Sequence, residues 1–171
     1  VLNTSVENQE INESQDNSQL NNRYFYNQLD NYSKKIYNSV RKNKENMKSG
    51  TYDMKLDQSF GDLMEDENGE NLMDSYFHKA IFAYLYDNPD VFYIDYSKLY
   101  LKRETIIRGL KKSYNFYLTE GEGANYLLNE FSTTNRVNSA INEVEQIKNQ
   151  IVQNKKEDDF QNVKMVHDYL I

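Results

Sequence analysis

Apolar positions along this chain recur with two different periods, and the switches between them predict its layout. Between Tyr24 and Met47, Phe25, Leu29, Ile36, Val40 and Met47 fall at helical spacing, with Tyr26 and Tyr37 adjoining. That predicts one amphipathic helix of roughly seven turns. Lys34, Lys35, Arg41, Lys42 and Lys44 lie mostly off the stripe and load its C-terminal half with positive charge, as the helix dipole favours. Ser49-Gly50 supplies the stop. From Thr51 to Phe60 the period drops to two: Tyr52, Met54, Leu56 and Phe60 face one way, Asp53, Lys55 and Asp57 the other. A half-buried strand explains that alternation.

The acidic stretch Gly61 to Glu70 reads as a loop. A second helix follows from about Asn71 to Tyr86, where Met73, Tyr76, Phe77, Ala80, Ile81 and Tyr84 make a wide apolar face. Pro89, the only proline, ends it. Val91 to Ile107 and Lys112 to Thr119 are rich in β-branched and aromatic residues, with Phe92, Ile94 and Tyr96 alternating, then Tyr114, Phe116 and Leu118. Antiparallel strands joined near Gly109 are the simplest reading. Glu120-Gly121-Glu122-Gly123 reads as a loop. Ser132 or Thr133 then caps a helix striped by Val137, Ile141, Val144, Ile147 and Ile151. After a break at Asn154–Glu157, Asp158 or Asp159 caps a last helix bearing Val163, Val166 and Leu170. The order predicts an α+β fold: a single domain of about four helices packed on a small antiparallel sheet.

Residues 1–22 break the pattern. Asn, Gln, Ser and Glu dominate, and only Val1, Leu2, Val6, Ile11 and Leu20 could be buried. So little apolar surface cannot offset the entropy of ordering, which predicts a disordered lead. A tether behind an anchor or signal and a plain disordered terminus both fit. The last helix ends on two apolar residues, Leu170 and Ile171, with no glycine, asparagine or basic turn to stop it. That implies a chain cut inside a larger protein.

Composition narrows the chemistry. The chain has 171 residues and a net charge of −7, the wrong sign for a duplex nucleic-acid surface or an anionic leaflet, and no run of five Lys or Arg occurs. No apolar stretch approaches the roughly 18 residues of a membrane span. With no cysteine there is no disulfide, thiolate metal site or thiol nucleophile within this chain; the compartment stays open. His78 and His167 are the only histidines, and no serine stands in a G-x-S-x-G context. His78, beside the apolar face of its helix, reads as a hydrogen-bonded or half-exposed structural residue.

Three weaker patterns remain. The acidic loop 62–70 suggests calcium, but an EF-hand register set by Gly69 would put Met64 first and Ser75 twelfth, and neither supplies the needed carboxylate. A solvated loop fits better. Gly121 and Gly123 open a dinucleotide fingerprint whose third glycine is replaced by Tyr126. The 15 Tyr and 8 Phe mostly fall on core-facing stripes, which leaves Tyr24, Tyr32, Tyr100, Tyr117 and Tyr126 for an exposed patch. Tyr100, Tyr117 and Tyr126 are the candidate binding surface, for glycan or peptide.

Two stretches, Tyr26-Asn27-Gln28-Leu29 through Ile36-Tyr37 and Asp87-Asn88-Pro89-Asp90-Val91-Phe92-Tyr93-Ile94-Asp95, resemble the N-terminal region of transglutaminase-like proteins exported by low-GC Gram-positive bacteria. Val163-Lys164-Met165-Val166-His167-Asp168-Tyr169-Leu170 is similar to the helix that opens their catalytic core. The resemblance implies an accessory domain over 23–156 and, over 157–171, the first helix of a truncated core of the papain-like kind. Its Cys, His and Asp would lie downstream, and His167 matches the helix-opening histidine rather than the catalytic one. It also implies an acyl-transferase or cysteine peptidase as parent protein, a cell-surface or extracellular location, and no catalytic residue, metal or cofactor in this chain. Val166, His167, Asp168 and Leu170 would seat the downstream domain. The alternative is a self-contained cell-surface module that binds glycan or peptide through exposed tyrosines.

Overall fold

The computed structural model describes residues 23–56, 60–121 and 125–170, the side chains of 169 and 170 excepted. The tether predicted over 1–22 lies outside them. Among the described residues, seven α-helices and a three-stranded antiparallel sheet make up an α+β fold.

The helix predicted over 24–47 is three pieces: α1 (Tyr24–Asn27), α2 (Asn31–Lys42) and α3 (Lys44–Met47). Two polar residues cause the breaks. The Asp30 carboxylate accepts from Ser33 N at 2.8 Å and from Ser33 Oγ at 2.9 Å, so it caps α2 instead of continuing α1. Asn43 ends α2, its side-chain amide donating to the Ser39 carbonyl at 2.9 Å. Ile36, Tyr37 and Val40 are fully buried. Gly50, at φ +75°, ends the segment in a conformation that strains any residue with a Cβ, and Leu127 packs directly over it.

The strand predicted over 51–60 shrinks to β1 (Met54–Lys55), prolonged by Leu56 N donating to Phe116 O at 2.9 Å; residues 57–59 are outside the described residues. Met54, Leu56 and Phe60 are buried as the alternation predicts, with Tyr52 half-buried. The acidic stretch is partly helical: α4 (Gly61–Met64) buries Leu63, and α5 (Gly69–Asp87) begins ahead of the predicted start. Pro89 does stop α5, opening a 3-10 turn at its first position.

Residues 91–98 are not a strand. Val91 ends one 3-10 turn (Pro89–Val91), Tyr96–Lys98 forms a second, and between them Ile94 alone bridges to Leu127. Tyr93 O and Asp95 N bond to Leu128 N and Tyr126 O, each at 2.9 Å, so this segment pairs with residues 126–128 rather than with the sheet. The sheet's long ribbon is β2 (Leu99–Arg108) and β3 (Lys111–Glu120), in register from Leu99↔Glu120 to Arg108↔Lys111. The strand order β1-β3-β2 leaves β2 at an edge.

The side chains of α2 and α5 meet those of the sheet's inner face, so Tyr37, Phe77, Tyr84, Phe116 and Leu118 share one core. Each such side chain contributes about 1.5–3 kcal/mol by leaving water. Asp87, the last residue of α5, ties α1 down: its carboxylate accepts from Phe25 N at 3.1 Å, Tyr26 N at 2.9 Å and Tyr37 Oη at 3.3 Å.

Thr133 caps α6 (Thr134–Gln153), accepting from Arg136 N at 3.2 Å, and the Asp158 carboxylate accepts from Phe160 N at 2.9 Å at the start of α7 (Asp159–Leu170). Only the first turns of α6 join the core. Val137 and Ala140 are buried and Ile141 is half-buried, but Val144 and Ile147 stand exposed.

Candidate functional site

His78 on α5 is held on both sides. Its Nδ1 bonds the Tyr96 hydroxyl, and its Nε2 lies 3.2 Å from an Asp74 carboxylate oxygen. An Asp-His-Tyr string has the outline of an activated hydroxyl, but the chemistry runs the other way. Burial and then the nearby Asp74 charge raise the Tyr96 pKa, which disfavours a phenolate nucleophile. His78 is a half-exposed, hydrogen-bonded structural histidine, in line with the reading of the sequence.

A sizeable depression lies between α4–α5 and the inner face of the ribbon. Two adjoining cavities of about 310 Å³ and 320 Å³ share Met64, Glu70 and Arg103. Met73, Leu101 and Phe116 floor the first; Asp66, Glu67, Ile107 and Lys112 rim the second. An Arg103–Glu70 ion pair spans the opening. Two of the acidic residues have partners within the protein: Glu70 pairs with Arg103, and the Asp66 carboxylate accepts from the Asn68 backbone N–H at 2.8 Å. Among the described residues no cluster of His, Cys, Asp or Glu is disposed to hold a metal ion.

The candidate tyrosines part company. Tyr126 is 0% exposed and cannot belong to a binding surface. The cause is its backbone: Tyr126 N donates to Gly50 O at 2.9 Å and its carbonyl accepts from Asp95 N, which draws the ring into the core, where its hydroxyl donates to Tyr52 O at 3.3 Å. Burial raises its pKa, as it does for Tyr37, Tyr84 and Tyr93. Tyr100 is exposed and Tyr117 half-buried, both on the outer face of the sheet. The Tyr117 hydroxyl donates to Glu104 at 3.1 Å beside the Asn115 amide at 3.0 Å, and these two bonds hold the Glu104 carboxyl below its usual range, Asn115 first. Lys102 Nζ lies 5.4 Å from the centroid of the Tyr117 ring.

A different set of exposed rings is contiguous. Tyr24 meets Phe25 at 5.2 Å between centroids, Phe25 meets Tyr86 at 5.1 Å, and Phe82 lies 6.4 Å from Tyr86 and 4.2 Å from Tyr96. Tyr86 is 66% exposed. Phe82 and Tyr86, one α-turn apart, carry this row up the outer side of α5. Sequence reasoning passes over it because a helix apolar nearly all round reads as wholly buried.

Exposed apolar residues also recur along α6 and α7. Val144, Ile147 and Val152 are exposed on the first; Phe160 (71%), Val163 (70%) and Val166 are exposed on the second. His167 and Asp168 lie in the open beside one another, 3.4 Å apart. The Leu170 side chain is outside the described residues. No helix among the described residues is long and apolar enough to cross a membrane. No protein-family model, no curated protein and no solved structure matches this chain.

Proposed function

We propose that this chain is the non-catalytic N-terminal accessory domain of a transglutaminase-like protein, with a downstream Cys/His/Asp core of the same polypeptide docked on its last two helices. The observation that carries the proposal is the exposed apolar face of α6 and α7. Amphipathic helices gain most of their stability by packing that face, and here Val144, Ile147, Phe160, Val163 and Val166 are left facing water. A patch of this kind marks an interaction surface. His167 and Asp168 then belong to the seam, and the parent protein is an exported acyl-transferase or cysteine peptidase. Reading the gene past the codon for Ile171 tests this. It should encode a cysteine, a histidine and an aspartate within a folded domain, whereas a stop codon close by defeats the proposal.

The aromatic row Tyr24–Phe25–Tyr86–Phe82 favours a second reading, a cell-surface module that binds glycan or peptide through exposed rings. That reading expects binding by the 171-residue chain to drop when Tyr24 and Tyr86 become alanine. Binding indifferent to both substitutions removes it.

A further inference from the structure

The net charge of −7 conceals a local reversal. Five of the chain's 20 Lys and Arg, namely Lys102, Arg103, Arg108, Lys111 and Lys112, fall on the β2–β3 ribbon, against two carboxylates, Glu104 and, at the end far from the turn, Glu120. Arg103 is paired with Glu70, and Lys112 lines the cleft with Asp66 and Glu67. Arg108 and Lys111 are different. The register sets them directly opposite each other on the outer face, next to the turn. Like charges opposed across an antiparallel pair destabilise it, and no ion pair among the described residues relieves these two. The fold gains nothing from that pairing.

The turn between them adds a second anomaly. Gly109, at φ +62°, holds the first central position, as a tight hairpin turn demands. The second central position, which has no positive φ here, accepts any side chain, and in an exposed turn a polar one is the usual choice. It is occupied by Leu110, which is 105% exposed, and Ile107 beside it is also exposed. An apolar side chain therefore stands at the outermost point of the ribbon, with an opposed pair of cations immediately behind it.

We propose that this tip, Ile107 to Lys112, docks on an anionic lipid surface, with Leu110 entering the headgroup boundary and Arg108 and Lys111 lying at the level of the phosphates. Cations near an anionic leaflet are attracted to it, and a short apolar insertion adds to that attraction. Negative charge more than about 8–10 Å away is largely screened at physiological salt, and the nearer Asp66 and Glu67 line the cleft with Ile107 and Lys112, on the opposite sheet face from Arg108 and Lys111. The size of the tip decides between a leaflet and an acidic protein. A specific protein interface buries about 800 Å² on each partner, far more than a ribbon end with one or two apolar side chains presents. A leaflet requires no matching pocket.

Co-sedimentation of the 171-residue chain with phosphatidylglycerol or phosphatidylcholine vesicles, at low and high salt, is the test. The chain should sediment with phosphatidylglycerol, not with phosphatidylcholine, and less at high salt. Each cation near the surface is worth about fivefold in partitioning, so Arg108→Gln with Lys111→Gln should weaken binding about 25-fold. Leu110→Ser should weaken it on the order of tenfold through lost apolar burial. All three positions are exposed, so far-UV circular dichroism and Tm should stay unchanged, which separates lost docking from lost folding. Equal sedimentation with both lipids, or unchanged binding by the Arg108/Lys111 variant, overturns the proposal. So does capture of soluble polyglutamate through Arg108 and Lys111 without vesicle binding, which would assign the tip to an acidic polypeptide.

Discussion

Helices α5 and α6 are nearly equal in length, 19 and 20 residues, and both carry apolar residues at helical spacing, yet they meet opposite fates. The inner side of α5 buries Met73, Phe77, Ala80, Ile81 and Tyr84, whereas α6 buries only Val137 and Ala140 before it leaves the body. The difference lies outside both helices. Along α5 the neighbouring α2 and the inner face of the sheet supply a complementary surface. Beyond Ile141 the stripe of α6 is largely uncovered: Val144 and Ile147 are exposed and Ile151 is only half-buried. An apolar stripe therefore establishes that a helix has a face to bury, and only its neighbours establish whether the burial happens within the chain.

Substitutions on the two helices should separate them sharply. Phe77→Ala removes a ring that is fully buried and should cost about 3–5 kcal/mol in denaturant unfolding, by lost transfer energy and a residual cavity. A cost near zero would mean that the body is loosely packed.

Alkaline pH should attack the body and spare the projecting helices. Burial pushes Tyr37 up to about 12 from an ordinary value of 10.0, and Tyr84, Tyr93 and Tyr126 are raised as well. A tyrosine whose pKa is raised on folding binds its proton more tightly in the native state. Its contribution is complete below about pH 10 and is lost as pH climbs from there toward 12 and beyond, at up to about 1.4 kcal/mol per pH unit for each ring. Equilibrium unfolding followed between pH 9 and 12 checks the sign; stability that holds steady above pH 10 would place those hydroxyls in water.

Asp87→Ala removes the acceptor for two backbone N–H groups of α1 and for the Tyr37 hydroxyl. It should cost about 1–2 kcal/mol and free α1 first, visible as early proteolysis after Arg23. The smallest effect belongs to the projecting pair. Val163→Ser, at a position 70% exposed, should shift stability by less than about 0.5 kcal/mol. A larger loss would show that α7 is already packed in the isolated chain.

Local chemistry was legible where one residue decides the outcome: Pro89 stops α5, Gly109 turns the hairpin, Thr133 caps α6. It was misread where a polar residue competes with a periodic stripe. Asp30 lies within an unbroken apolar rhythm, and only its bonds to Ser33 turn that rhythm into a helix start. Long-range placement was the least visible. Tyr126 is buried through backbone bonds to Gly50 and Asp95, both distant in sequence. The opposed Arg108 and Lys111 emerge only once the strand register is known. Likewise, the aromatic row joins Phe25 to Tyr86 through the Asp87 cap, which ties together residues some sixty positions apart.

Amide hydrogen exchange on the 171-residue chain tests the central claim most directly, that α6 beyond Ile141 and α7 present an uncovered face. Slow exchange is expected for residues 73–84 of α5, close to the limit of global unfolding, with exchange orders of magnitude faster over 144–153 and 160–168. Equal protection of the two regions would contradict the account, because it would mean that the apolar face of α6 and α7 is already buried.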